Sequence, residues 1–490
     1  MRIGDLMAIS GVTFGTSGAR GLAADMTDQV CYLYTSGFLA YLRARGLLGT
    51  TVGLAGDLRP STPRILTACA RAIRDAGCRP RYFGAIPTPA LAAYGIAHSM
   101  PTLMVTGSHI PAERNGIKFY LPSGEILKED EAGIAAQDLD PPAALFTAHG
   151  TFAADPGALP DAEDAAFTAY VRRFLDFFPP DALAGWHLGL YEHSSVACAA
   201  ATAVLTGLGA TVVPFGRAPS FVPVDTEAIR PEDIQLARDQ AARGRFDALV
   251  STDGDGDRPL LADATGQWLR GDLAGVLCAR ALGAQGVVTP ISSNTAVERC
   301  GWFDTVLRTR IGSPYVIAGM NQLRARGLAP VMGYEANGGF LLASDLLHDG
   351  RRLTALPTRD ALIVPVTLLA TARAQGQSLA ALSAALPRRF THSDRLQDFP
   401  SARAQSLLAT LTSDDPARDR AAAEARFGAL GGAVATVERT DGVRVLFASG
   451  EILHLRPSGN APELRVYTEA DSLERAQALN AAALEQARAW

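Results

Sequence analysis

A short apolar run, a stretch of amphipathic helix length and a second apolar run recur three times in this 490-residue chain. That rhythm limits what it can fold into. Residues 51–56 read as a buried strand, 63–76 as an amphipathic helix stopped by Gly77, and 81–83 as the start of the next strand. The order returns at 187–191, 196–208, 211–214 and 248–251, and again at 286–290, 314–327 and 330–332. Strand, helix and strand in that sequence imply parallel pairing through crossover helices. Beyond about residue 385 the texture changes. A helix over 402–411, strands over 433–438, 443–447, 452–455 and 464–467, and a helix over 472–490 predict an α+β unit. The expectation is four domains, at 1–147, 160–268, 269–385 and 386–490, with the Pro-, Ala- and Asp-rich segment 138–164 as linker between the first two.

Composition removes several function classes. A net charge of −5 spread along the sequence gives no basic footprint for nucleic acid. No uninterrupted apolar stretch reaches the roughly 18 residues of a membrane span, and the N-terminal MRIGDLMAISG lacks a signal peptide's apolar core. Six scattered cysteines, with no CxxC pair and no histidine at zinc spacing, read as small buried thiols. The expectation is a reduced, cytoplasmic protein.

Polar loops interrupt the apolar rhythm, and each has its own chemistry. In VTGSHIPAERNGIKFY, residues 105–120, an apolar run ends at Thr106, and Ser108 follows between Gly107 and His109. A hydrolase serine would need a GxSxG elbow and a separately placed histidine; an adjacent His109 is poorly placed as a base, but a lone hydroxyl can still carry a phosphoryl group. In STDGDGDRP, residues 251–259, Asp253, Asp255 and Asp257 alternate with glycines. Three close carboxylates repel one another unless a divalent cation lies among them, and oxygen ligands indicate Mg2+ or Ca2+. An EF-hand is excluded, because Arg258 takes its sixth place and Ala264 its twelfth. With so few protein ligands, Mg2+ completed by a phosphate oxygen and water fits better.

Three further loops offer donors. FGTSGARG, residues 14–21, exposes backbone N–H groups, and Arg20 adds a fork suited to phosphate. RPSGNAPELR, residues 456–465, crowds Arg456, Ser458, Asn460 and Arg465 around Gly459, with only Glu463 as a compensating carboxylate, and reads as an anion cradle. GYEANGGF, residues 333–340, places Glu335 and Asn337 on one side of an extended stretch, where they suit vicinal sugar hydroxyls.

Taken in this order, the loops resemble those of the α-D-phosphohexomutase superfamily, from Phe14 to about Glu469. That family's TASHNP followed by NGxK stands here as TGSHIP followed by NGIK, and DGDGDR matches letter for letter. GExSG appears as YEANG, and RxSGTEP as RPSGNAP. The resemblance implies three α/β domains with mixed sheets plus a C-terminal α+β domain around a central cleft, one loop from each. Ser108 would be the phosphorylated serine, and Asp253, Asp255 and Asp257 would hold Mg2+ with its phosphate. Arg20, Lys118, His109 and Arg258 would lie at the reacting centre. Glu335 and Asn337 would bind sugar hydroxyls, and Arg456, Ser458, Gly459, Asn460 and Arg465 the substrate phosphate.

The activity so implied interconverts hexose 1-phosphate and hexose 6-phosphate, of mannose or glucose, through a phosphoserine and a sugar 1,6-bisphosphate. No nucleic-acid or membrane partner is expected, and the chain would be a monomer or dimer. Three alternatives stand beside this reading: a phosphoglucosamine mutase, whose sugar loop more commonly reads GEQSG, an inactive phosphosugar-binding protein, and a phosphatase sharing the metal site. The chain departs from the family at Gly107, Ile110 and Asn337. It also has Gly339 where some relatives carry a histidine, so no general base is assigned there.

Overall fold

The structure, a computed structural model, describes residues 1–15, 17–458 and 462–489. Four main sheets follow one another along the chain. The first is a mixed seven-stranded sheet in which Thr102–Val105, Thr51–Gly56 and Arg79–Tyr82 run parallel. Its crossover helix is Thr62–Asp75, which begins with Pro63 in its first turn and buries Ile65, Leu66, Cys69 and Ile73. The second sheet has four strands and the third five, each with a parallel core as the strand–helix–strand rhythm requires. The fourth, Phe390–Leu396 with the strands between Val434 and Ala470, is antiparallel throughout and is packed by helices Pro416–Gly431 and Leu473–Arg488.

Parallel pairing describes only part of each sheet. Every candidate loop connects a strand to one that returns beside it. Thr102–Val105 turns back into Arg114–Leu121, Ala248–Thr252 into Pro259–Asp263, Val331–Tyr334 into Phe340–Leu342, and Ile452–Pro457 into Leu464–Ala470, all antiparallel. A connection between antiparallel neighbours need not cross the sheet and stays at its end. Each sheet therefore presents at least one polar loop at its end. The turn at 14–21 likewise joins the antiparallel pair Thr13–Phe14 and Ala19–Leu22, and the second of these lies against Arg114–Leu121.

The segment 138–164 is not the free linker its composition suggests. Leu139, Leu145, Phe146, Phe152 and Leu159 pack onto the core of the first sheet. Glu163 then fastens the strap's end, with its carboxylate 2.6 Å from Arg81 and its N–H on the Tyr82 carbonyl at 2.8 Å. One apolar core runs on through the first three sheets, from Ala55 and Phe83 through Leu188 and Val287 to Phe340 and Leu386. The fourth sheet has a core of its own around Phe427, Leu453, Leu455 and Val466. Among the described residues no helix is long and apolar enough to cross a membrane.

Candidate active site

Ser108 is fully buried and lies in the left-handed region at φ 56°, a conformation that costs a non-glycine residue about 1–3 kcal/mol. A network behind it holds that shape. Thr106 Oγ1 accepts from the Ser108 N–H at 2.8 Å and donates to Asp57 at 2.7 Å. Arg59, itself buried and paired with Asp57, donates to the carbonyls of Ser108 and Ile110 at 2.7 Å and of Pro111 at 2.9 Å. Its guanidinium lies where a side chain at position 107 would start: a Cβ on Gly107 would sit 2.7 Å from Arg59 Cζ. The glycine that departs from the family's alanine is thus the packing partner of this arginine.

The serine's Oγ donates to Asp253 Oδ2 at 2.7 Å, which joins the first sheet's tip to the second's. Asp253, Asp255 and Asp257 are all buried, with ligand atoms within 4.8 Å of one another. Lys118 Nζ lies between two of them, 2.6 Å from Asp255 Oδ2 and 2.5 Å from Asp257 Oδ2, and Thr88 also donates to Asp255 at 2.6 Å. Those contacts use only one oxygen of each. Asp255 Oδ1 and Asp257 Oδ1 are buried without a hydrogen-bond partner among the described residues. Unpaired buried carboxylate oxygens are costly, and hard anionic oxygens converging at this spacing suit a small divalent cation. Burial, together with the charges of Asp255 and Asp257, pushes the Asp253 carboxyl well above the usual range. Burial also acts to raise Asp257, but Arg359, Lys118 and Arg258 outweigh it and hold that carboxyl below the ordinary value.

Cations surround this anionic centre. Arg20 makes no ion pair among the described residues, and its Nε is buried without a partner. Burial and the nearby charges of Arg258 and Arg359 push its guanidinium down to about 10. Arg258 Nη1 donates to His109 Nδ1 at 2.8 Å, so the imidazole proton belongs on Nε2, which faces Asp225 at 4.0 Å. Burial and the Arg258 charge hold His109 well below the usual histidine value, and the ring is neutral.

The sugar-loop residues lie in a turn rather than the extended stretch expected, with the Gly338 N–H on the Glu335 carbonyl at 2.9 Å. Glu335 is buried, and Arg359 Nη1 reaches its Oε1 at 3.1 Å. Asn337 folds back: its Oδ1 accepts from the Gly339 N–H at 2.9 Å, and its carbonyl accepts from Thr226 at 2.6 Å. In the fourth sheet's tip, Ser458 is buried with its N–H on the Glu463 carbonyl at 2.8 Å, and Arg465 lies 3.7 Å from the Glu463 carboxylate. Gly459 and Asn460 lie outside the described residues. Glu463 is not the loop's only compensating carboxylate. Asp441, from the adjoining hairpin, pairs with Arg456 at 2.9 Å.

Sequence reasoning singled out Ser108, the three aspartates, Lys118 and Arg258, which are in mutual contact, and Glu335, which joins them through Arg359. It missed Asp57, Arg59, Arg359 and Asp441. The first two follow a strand end in the polar run GDLRPS, the same signal that exposed Ser108. Arg359 and Asp441 carry no such signal.

Models of the phosphoglucomutase/phosphomannomutase family match in three places: alpha/beta/alpha domain I at residues 11–139, alpha/beta/alpha domain III at 270–390 and the C-terminal domain at 410–486. The phosphomannomutase of Salmonella muenchen is 44% identical over 96% of this chain and 95% of its own. A phosphoglucosamine mutase of Thermus thermophilus is 30% identical over 94% of each. A crystal structure of a phosphoglucomutase/phosphomannomutase family protein from Burkholderia thailandensis superposes with a TM-score of 0.71, covering 96% of this chain and 97% of that one at 21% identity. The chain belongs to the phosphoglucomutase/phosphomannomutase family of α-D-phosphohexomutases. It is a phosphohexomutase, an isomerase that moves a phosphoryl group within a hexose phosphate, and its family is generally magnesium-dependent.

Proposed function

We propose that this phosphohexomutase acts on mannose phosphates, with glucose phosphates as second substrates, and that Ser108 carries the phosphoryl group. What carries the reading is the contact of Ser108 Oγ with Asp253, beside two buried carboxylate oxygens that have no partner among the described residues. Mannose is favoured over glucosamine by the closer identity to a phosphomannomutase.

The reaction asks for position and charge more than for covalent machinery. Held by Arg59, Ser108 points its oxygen along one line for in-line transfer. The sugar's free hydroxyl attacks phosphorus, the bond to Ser108 Oγ breaks, the hydroxyl's proton ends on the freed serine oxygen, and a sugar 1,6-bisphosphate forms. Once turned in the site, the bisphosphate returns its other phosphate to the serine. Mg2+, held by Asp253, Asp255 and Asp257, would neutralise charge on the transferring group. Arg20 and Arg258 add positive charge without a metal, and Lys118 keeps Asp255 and Asp257 ionised and aimed. Glu335 takes a sugar hydroxyl, and Arg456, Ser458, Gly459, Asn460 and Arg465 hold the phosphate that is not reacting.

We divide the chain at 1–147, 160–268, 269–385 and 386–490, since each main sheet falls inside one of these spans. A cytoplasmic setting fits six unpaired thiols, and the protein would work as a monomer or dimer. Purified protein with Mg2+, a trace of glucose 1,6-bisphosphate and, in turn, mannose, glucose and glucosamine 1-phosphates tests the reading. Turnover fastest with mannose 1-phosphate is expected; turnover of glucosamine 1-phosphate alone would overturn it.

A further inference from the structure

Arg359 belongs to none of the polar loops, yet its guanidinium touches two of them. It comes from the strand Leu356–Asp360 and is 1% exposed. Nε and Nη2 meet Asp257 Oδ2 at 3.0 and 2.9 Å, while Nη1 meets Glu335 Oε1 at 3.1 Å and Ser313 Oγ at 3.0 Å. Ser313 in turn donates to Glu125 Oε1 at 2.8 Å, and Glu125 also accepts from Ser17 at 2.7 Å and Thr358 at 3.2 Å. One planar fork thus ties the metal loop of the second sheet to the sugar loop of the third, and through Ser313 to the first. A lysine could not do this, because it offers a point charge and no fixed fork.

The backbone is built to deliver that fork. The ladder slips between Phe340 and Leu342, which pair with Asp360 and Leu356, so the arginine's strand carries extra residues over that stretch. Such bulges re-aim side chains beside functional sites. The re-aimed stem then crosses Gly339. A Cβ there would lie 2.7 Å from Arg359 Cγ and closer still to Cδ.

We propose that Arg359 is a positioning residue that sets the sugar-binding Glu335 against the metal-loop Asp257, and that position 339 is glycine because any side chain there displaces this arginine. The proposal rests on the reading of Glu335 as a ligand of the sugar. With Oε1 held by Arg359, Glu335 keeps Oε2, which makes no hydrogen bond among the described residues, for a sugar hydroxyl. The sugar's attacking oxygen is then located relative to the aspartates, and so to the phosphoserine.

The test is a double-mutant cycle of Gly339→Ala and Arg359→Ala in the full-length enzyme. Three quantities are read: kcat, KM, and the number of turnovers per bisphosphate lost to solution. The last is a ratio within the folded enzyme, so a partly unfolded sample does not change it. Arg359→Ala should lower kcat roughly 100-fold, the scale of a 1 Å misplacement. It should also lower the turnovers per bisphosphate lost and leave KM within about threefold, because the phosphate cradle is untouched. Gly339→Ala alone should lower kcat about tenfold in the same manner, yet cost less than about twofold once Arg359 is gone. Arg359→Lys should recover less than about a tenth of the lost rate. Equal Gly339→Ala penalties in both backgrounds, or wild-type turnovers per bisphosphate in Arg359→Ala, overturn the proposal. If the proteins without the arginine do not fold, Gly339→Ala decides: a reduced ratio supports the proposal and an unchanged one overturns it. A wild-type enzyme that turns over no hexose phosphate would instead overturn the functional reading, and this inference with it.

Discussion

Ser108 and Arg456 lie near the same kind of place, each toward the end of an antiparallel strand pair, and their surroundings could hardly differ more. Around Ser108 the apolar core is continuous through three sheets, and the charged side chains close to it are buried: Asp57 with Arg59, Asp255 and Asp257 with Lys118, Asp257 with Arg359. Around Arg456 the sheet has a core of its own. Its polar contacts with the rest of the chain include Asn294 Nδ2 on the Arg389 carbonyl at 2.9 Å, the Thr295 N–H on Glu469 at 3.0 Å and the Ile311 N–H on Asp441 at 3.0 Å. Buried pairs of opposite charge are weak evidence for stability, because desolvation offsets much of their attraction. They fix geometry instead. On the proposed function, chemistry belongs to the wired centre and binding to the separately cored body.

The largest effect should come from the wired side. Ser108→Ala removes the hydroxyl on Asp253 Oδ2 and should lower kcat by roughly three decades or more, with the fold kept, since Arg59 still holds the carbonyls. Mapping of the phosphopeptide after reaction with glucose 1,6-bisphosphate checks the assignment, and a label anywhere but at Ser108 sinks it. Asp255→Asn comes next, at about two decades in kcat, because it removes charge where the transferring group needs a cation. Its Mg2+ titration should move to higher concentration, and excess Mg2+ should restore only part of the rate. Full activity of the wild type in chelator would remove the metal role.

On the bound side the effect should be smaller and of another kind. Arg456→Ala loses one charge-assisted contact, worth about 1.5–3 kcal/mol, so KM for the 1-phosphate and the 6-phosphate should rise alike by roughly one to two decades. Asp441, freed from its pair with Arg456, adds to the loss by facing the substrate phosphate as an uncompensated anion. The comparison breaks if kcat falls while KM stays in place, because Arg456 would then belong to the reacting centre.

Much of the reacting centre was legible because its residues cluster in short polar runs that interrupt apolar strands. DGDGDR and TGSH announce themselves by composition and order. What stayed hidden has a common cause. Arg359 and Asp441 act on loops far from them in sequence, and a single charge on a strand looks the same whether it faces water or a buried carboxylate. The parallel crossovers were readable from the strand–helix rhythm, whereas the antiparallel return of each loop strand was not, because pairing direction leaves no mark on a four-residue strand. Phe390–Leu396 escaped notice since FTHSDRL carries few apolar residues, and helix Asp28–Ala44 because it is buried nearly all round and shows no polar face. Segment 138–164 joins the first two sheets, and its packing was the part that did not show. Its prolines and alanines suggest a tether, but Leu145, Phe146 and Phe152 are anchors.

The smallest effect concerns two histidines placed alike on the two sides. His193 lies under the metal loop with Nε2 on the Thr252 carbonyl at 2.8 Å, and His454 lies under the phosphate loop with Nε2 on the Asp441 carbonyl at 2.6 Å. Each therefore donates from Nε2, and each has a buried Nδ1 with no partner among the described residues. A second proton would have to enter there, so burial pushes both rings from the ordinary 6.5 down to about 4. The folded pKa lies below the unfolded one, and the unfolded chain takes up the proton first as pH falls. Stability from each group is then whole above about 6.5, declines between 6.5 and 4, and changes no further below that. At pH 5.5 each histidine should have withdrawn about 1.4 kcal/mol, a factor of about ten in the unfolding equilibrium. Urea unfolding at pH 8 and pH 5.5 measures it, with His193→Gln and His454→Gln each removing one share of the pH dependence. If the fourth sheet unfolds on its own, as its separate core implies, His454→Gln should alter only the transition of that sheet and His193→Gln only the other. A single transition that both substitutions shift together would mean that the polar joint at Glu469 and Asp441 binds the two bodies as tightly as a shared core. The phosphate cradle would then be as fixed as the serine.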